Sequence, residues 1–175
     1  MPRTDGVYYA HADYAGFWRR IIIDLIDFAV AVTLALIVSA AVATWVTTDH
    51  DAIPRIVFWA MLGVGFLYLI VLKRTNVRTL GYRLAGVRVV DLHGARPSLW
   101  ALSVRTGFIV AGPLGALVDL LWLTGDRHRQ ALRDKFAHTY VVRQRAVPAG
   151  HGTIAHSTYT ILGYGFLFPE VREPR

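Results

Sequence analysis

Three ionisable residues stand where an apolar helix should begin. Arg20, Asp24 and Asp27 are spaced i, i+4 and i+7, which at about 100° per residue puts them within roughly 60° of one another on a helical wheel. Asp27 lies about 10 Å along the axis from Arg20. With the arginine at headgroup depth, Asp27 enters the outer hydrocarbon. An isolated carboxylate there costs on the order of a few kcal/mol, so it has to face protein, water or a counter-charge. Two carboxylates under one arginine can hold an exchangeable proton or a small cation, which is the functional reading. The structural reading, which we favour, has Arg20 bonding Asp24 locally. Asp27 then pairs with an arginine from another segment, such as Arg105, and sets how the helices dock. Beyond Asp27 the stripe runs on through Ala31, Leu34 and Val38. The charged patch is confined to one end.

The elements that carry this patch are apolar blocks. The chain has 175 residues, 54% of them hydrophobic, with a mean hydropathy of +0.40 and a formal net charge of +7. Such a charge suits nucleic acid, anionic lipid or the cytoplasmic loops of a membrane protein. The apolar blocks choose the last, and topology then accounts for the charge without nucleic acid. The first block, about residues 21–46, would be about 39 Å long as a helix, more than the ~30 Å of hydrocarbon. It is too long for a cleaved signal and follows a polar segment. The second, about 55–72, follows a polar turn with Pro54 placed for a helix start. Arg19 and Arg20 flank one end of this pair, and Lys73, Arg74 and Arg78 the other. The positive-inside rule then puts the N-terminus and the segment after Leu72 in the cytoplasm, on one side of a helical hairpin.

A third apolar segment, about 99–124, is interrupted by Arg105, Gly112-Pro113 and Asp119. Both of its flanks are basic: Lys73–Arg105 holds seven Lys and Arg, and Arg127–Arg145 holds six. Two half-length helices returning to the same face satisfy that pattern, and a single proline-kinked crossing is the alternative. Val87–Leu92 and Thr139–Val142 are β-branched and are expected to pair as a small cytoplasmic sheet. Thr79 is expected to cap a short helix at its N-terminus. Arg127–His138 reads as a basic amphipathic helix, either a solvated charged helix or one bound at the membrane surface to anionic lipid headgroups. The fold class is therefore a mainly α membrane protein: a transmembrane helical hairpin, a broken third hydrophobic segment and a strand pair. Residues 1–16 form a cytoplasmic lead-in, 17–143 the membrane domain, and 144–175 a tail expected to be poorly ordered.

The stretch Gly16-Phe17-Trp18-Arg19-Arg20 through Asp24 and Asp27 resembles the opening of the RDD family of bacterial membrane proteins, which is named for one arginine and two aspartates. Arg129 to Val142 resembles its closing motif, and Thr79 to Asp91 followed by Gly94 its middle segment. The resemblance covers roughly residues 15–143 and implies Arg20, Asp27 and Asp134 as the naming trio, with Arg105 at a recurrent arginine. Three positions depart from the pattern. Tyr82 stands where Lys is frequent, Arg133 where His is common, and His138 where Gly usually precedes Thr. Asp24 lies outside the trio. The family's general role is not established; cation/proton antiport has been proposed for some members.

Other chemistries find little support. The chain has no cysteine, and its seven histidines show no metal-ligand spacing. No cofactor, metal or enzymatic constellation is expected. Two functions remain. The favoured one is a membrane assembly or adaptor module, locked by its charges and with a homo-oligomer or membrane-protein partner; in it Asp134 anchors the basic helix against membrane-proximal arginines. The alternative is a proton-coupled monovalent cation transporter using Arg20, Asp24 and Asp27.

Overall fold

Two long helices dominate the chain. A computed structural model describes residues 5–45, 52–110, 113–126, 128–161 and 163–174. The first helix, α1, runs Phe17–Trp45 without a break. The second, α2, is Ile53–Phe66 and continues through a π-helical stretch, Leu67–Leu72. Both are long and apolar enough to cross a bilayer, yet only 17% and 11% of their most apolar windows are buried. Leu25, Phe28, Leu36, Phe58 and Trp59 all lie open on these helices. A water-soluble protein rarely leaves so large a contiguous apolar face uncovered; a lipid-facing helix needs one. The π-helical stretch changes the helical phase, and π-bulges are often found at functional sites. Here it turns Tyr68 and Ile70 inward.

After α2 come the short helix α3 (Leu80–Leu84) and strand β2 (Val87–Asp91). The third apolar segment is two helices, α4 (Leu99–Val110) and α5 (Pro113–Gly125). Gly112, where a break is expected, falls outside the described residues. Neither helix alone has the roughly 20 residues a crossing needs. Arg105 of α4 and Asp119 of α5 nevertheless reach adjacent residues, Asp134 and Arg133, of one short helix, α6 (Leu132–Phe136). Strand β3 (Thr139–Arg143) pairs antiparallel with β2, with Val89 opposite Val141.

Three local expectations need correction. The stretch after Gln144 forms β4 (Gly150–Ile161) and β5 (Tyr164–Arg172), a long hairpin. Strand β1 (Asp5–Tyr8) joins it to give a sheet in the order β1-β4-β5. Its partners come from opposite ends of the chain, so no local period reveals it. Phe136 packs against Phe108, Phe166 and Phe168, and Trp122 against Tyr159, tying the hairpin to α4, α5 and α6. Second, the basic helix over 127–138 shrinks to five residues, and Leu132, Arg133, Asp134 and Lys135 are all buried. Its two cations, Arg133 and Lys135, point inward to Asp24, Asp119 and Glu170. Third, Thr79 does occupy the N-cap position of α3, but its hydroxyl makes no capping bond. It is engaged by Asp27.

Two apolar clusters hold the body together. One joins the two sheets to each other through Val7, Tyr9, Tyr14, Val90, Tyr140 and Val171; the other joins β2 and β3 to the helices through Ile23, Ile70, Tyr82, Val87, Leu102 and Val141. The segment leading into α1 is itself docked on β3, with the Ala15 amide donating to Val141 O at 2.8 Å. That contact sets the position at which Arg20 enters the interior.

Candidate functional site

Asp134 is the centre of the buried charge. The α6 backbone brings it there: its Oδ2 accepts the Ala131 amide at 3.2 Å, the return half of a capping box. The same oxygen pairs with Arg20 Nη1, while Oδ1 pairs with Arg105 Nη1. Asp134 is 0% exposed, Arg20 2% and Arg105 3%. One carboxylate thus bridges two guanidiniums drawn from α1 and α4. Both arginines have further acceptors. Arg20 donates to Ala15 O at 3.2 Å and Arg129 O at 2.8 Å, the latter held by a left-handed backbone (φ 48°) at Arg129. Arg105 donates to Thr139 Oγ1 at 2.8 Å and Tyr82 Oη at 3.1 Å. Burial by itself would raise the Asp134 carboxyl, but Arg105, Arg20 and Arg133 hold it below the usual carboxylate range.

Asp27 lies in a second, differently built site. Its Oδ2 accepts from Thr79 Oγ1 at 2.6 Å, and its Oδ1 from the Gly81 amide at 2.8 Å and the Tyr68 hydroxyl at 3.4 Å. Lys73 Nζ is 3.9 Å away. Gly81 is a glycine by necessity: a Cβ there would sit 2.6 Å from Ile23 O and 2.7 Å from Asp27 Oδ1. Tyr82 joins the two sites, offering its ring to Lys73 at 4.8 Å and its hydroxyl to Arg105.

A third acid pair completes the array. Arg133 Nη2 lies 2.7 Å from Asp24 Oδ2, its Nε 3.1 Å from Asp119 Oδ2, and its amide 2.6 Å from Asp119 Oδ1. Burial disfavours the charged guanidinium, yet Asp24 and Asp119 keep it protonated more firmly than an ordinary arginine. Among the described residues, no group of three or more His, Asp or Glu could hold a metal ion.

The RDD family model matches residues 14–138, well over half of the chain. The chain belongs to the RDD family. It is a membrane protein, as its two apolar helices also indicate. No curated protein and no solved structure matches it.

Within this RDD domain the pairings differ from those expected on the helix wheel. Arg20 reaches Asp134, not Asp24; Asp24 reaches Arg133; and Asp27 takes neutral donors and Lys73 instead of Arg105. Helical proximity suggested a local pair, but the Arg20 guanidinium reaches Asp134 of α6, and the long Arg133 side chain of α6 reaches back to Asp24. The structure brings Arg20, Arg105 and Asp134 together and leaves Asp27 apart. Sequence reasoning missed Tyr82, Lys73, Thr79, Gly81, Asp119 and Arg133 as members of the site. Two of the three departures from the RDD pattern, Tyr82 and Arg133, lie at its centre. The third has a backbone reason: His138 follows α6 with φ 53°, the left-handed region that glycine occupies without penalty.

Proposed function

We propose that this RDD chain is a non-enzymatic membrane assembly module whose charge network clamps two membrane helices onto a sheet-bearing body. The observation that carries the reading is the engagement of the α1 acids: Asp27 is enclosed, and Asp24, its side chain 21% exposed, is paired. Asp24 is taken by Arg133, and Asp27 by Thr79, Gly81, Tyr68 and Lys73. A carrier needs carboxylates that exchange partners with water or cation, whereas these are held by four side chains and one backbone amide from three other segments. Deeper along the Asp27 stripe, Ala31 and Ala35 open onto a groove of about 650 Å³ with Phe28, Phe58 and Met61 on its walls. Its lining is apolar except for Thr106 of α4, whose hydroxyl donates to Leu102 O at 2.9 Å, and it offers a cation no carboxylate.

In this reading the N-terminus, the β2–β3 pair, α6 and the β1-β4-β5 sheet share the cytoplasmic face of an inner membrane. The start of α1 and the end of α2 lie at one level, since Lys73 reaches Asp27. The α4–α5 segment is re-entrant. Its support is the meeting of Arg105 and Asp119 with neighbouring α6 residues, which a straight crossing would separate. The exposed apolar faces then bind lipid and a second copy or another membrane protein.

The chain has no native cysteine, so single cysteines placed at Gly125 and Gly150 test the topology. We expect labelling at both from the cytoplasmic side only; periplasmic labelling at both rules the re-entrant arrangement out. Reconstituted vesicles test the function. We expect no cation-dependent proton flux across several monovalent cations and pH values. Flux that disappears in a folded, inserted Asp27→Asn protein would establish the carrier instead.

A further inference from the structure

Where α2 leaves the apolar zone, five cations surround one basin. Lys73 and Arg74 follow immediately on the end of the second apolar helix at Leu72. With Arg78, Arg88, Arg96 and Gln144 they line a cavity of about 400 Å³ that has no carboxylate in its wall. Lys73 is partly neutralised by Asp27. The other four are not: among the described residues no carboxylate lies within 4.0 Å of Arg74, Arg78, Arg88 or Arg96. The nearest acid along the strand, Asp91, spends its Oδ1 on the His93 and Ala95 amides at 2.9 Å each.

These guanidiniums are also held in place by neutral acceptors. Arg78 donates to Val87 O at 3.0 Å, Arg88 to Ala146 O at 3.0 Å and Arg96 to Asn76 Oδ1 at 2.6 Å. Arg78 is locked by a left-handed backbone (φ 56°). Arg88 keeps its Nε shielded from solvent with no acceptor. Clustered arginines of like charge repel one another, and burying an N–H without a partner costs free energy. Both costs fall away when a multivalent oxyanion enters, because guanidinium forks match the oxygens of phosphate.

We propose that this basin is a binding site for a phosphate-bearing anion. Its placement at the end of a membrane helix favours a lipid phosphodiester as the source, and that choice alone rests on the membrane orientation proposed above; the phosphate chemistry does not. The site is distinct from α6, whose cations are turned inward.

The full-length chain in nanodiscs of phosphatidylcholine, with or without phosphatidylglycerol, provides the test, read by native mass spectrometry of retained lipid. Inorganic pyrophosphate is the soluble probe. Arg74 and Arg96 are both exposed and outside the clusters that hold the fold, so R74Q/R96Q folds. It should lose about tenfold or more of the preference for phosphatidylglycerol. R83Q/R172Q, which removes the same charge from exposed arginines elsewhere, should leave that preference unchanged. Retained phosphatidylglycerol that pyrophosphate does not displace identifies a lipid site. Pyrophosphate binding that is lost in R74Q/R96Q, without lipid preference, identifies a site for free phosphate. Equal losses in the two double variants, or binding of neither probe, overturn the proposal. Cysteine labelling decides the orientation independently, so a wrong topology and a wrong site give different results.

Discussion

The two aspartates that mark this family are buried by different means. Asp134 is surrounded by formal charge: two guanidiniums share its oxygens and a third stands beside them. Asp27 is surrounded mostly by neutral donors, a hydroxyl, a phenol and a backbone amide, with one ammonium at 3.9 Å. Breaking a buried ion pair leaves an uncompensated charge behind, whereas breaking a neutral hydrogen bond leaves only an unsatisfied dipole. The first site should therefore be a clamp whose loss is severe, and the second an alignment device whose loss is graded.

The largest effect expected is at Asp134. Asp134→Asn leaves Arg20 and Arg105 facing each other without an anion and should destabilise the protein in detergent by about 3–5 kcal/mol. Thermal unfolding measures it. Adding Arg105→Met should restore part of the loss; a double variant as unstable as the sum of the singles would break the account of a shared counter-charge. Asp27→Asn removes one charged acceptor and turns an amide N–H₂ toward donors, at about 1–3 kcal/mol. A loss as large as that at Asp134 would erase the distinction between the two sites.

Gly81→Ala tests whether Asp27 is held by close approach. With a Cβ forced within 2.7 Å of the carboxylate, it should cost about 1–3 kcal/mol and slow exchange protection in α3 should be lost, while α6 is unaffected. His138→Gly works in the opposite sense. It relieves a left-handed backbone beside the Asp134 clamp and should stabilise by about 1 kcal/mol. No gain would mean that the His138 side chain contributes what its backbone costs.

The smallest effect concerns the β4–β5 hairpin. Lys135 of α6 pairs with Glu170 and lies 2.5 Å from Asp126. Burial would raise Glu170, but hydrogen bonds from Lys135 and Tyr159 hold it below its ordinary 4.5. Its contribution is thus present above that value and is lost as pH falls through the lower folded one. Burial would lower Lys135, but Asp126 and Glu170 hold it above 10.5. That contribution is full below 10.5 and is lost as pH rises through the higher folded value. Amide exchange of β4 and β5, corrected for intrinsic rates, should be flat between these limits and weaken first in acid. Uniform weakening from neutral pH upward would contradict the pair.

Much of this was legible in order of sequence range. Apolar runs with basic flanks specify membrane helices because hydrocarbon tolerates little else, and lipid needs no particular neighbour. Arg20, Asp24 and Asp27 were visible because charge inside such a run is costly. Their partners were not. Asp134 is 114 residues from Arg20 and Arg133 is 109 from Asp24, and helical spacing offered the nearer but wrong pairing. Tyr82, Thr79 and Gly81 look like ordinary members of a short helix until Asp27 is set against them. The β1-β4-β5 sheet was invisible for the same reason.

By itself, then, the sequence determined two apolar helices, the cost of the charges at the start of the first, and membership of a family marked by an arginine and two aspartates. Solvent preference and local spacing suffice for those. Only the tertiary structure decided which charge pairs with which, since α6 brings Asp134 and Arg133 to charges from α1, α4 and α5 together. The patch first seen as three residues on one helix is one wall of two sites, and the other walls come from elsewhere in the chain.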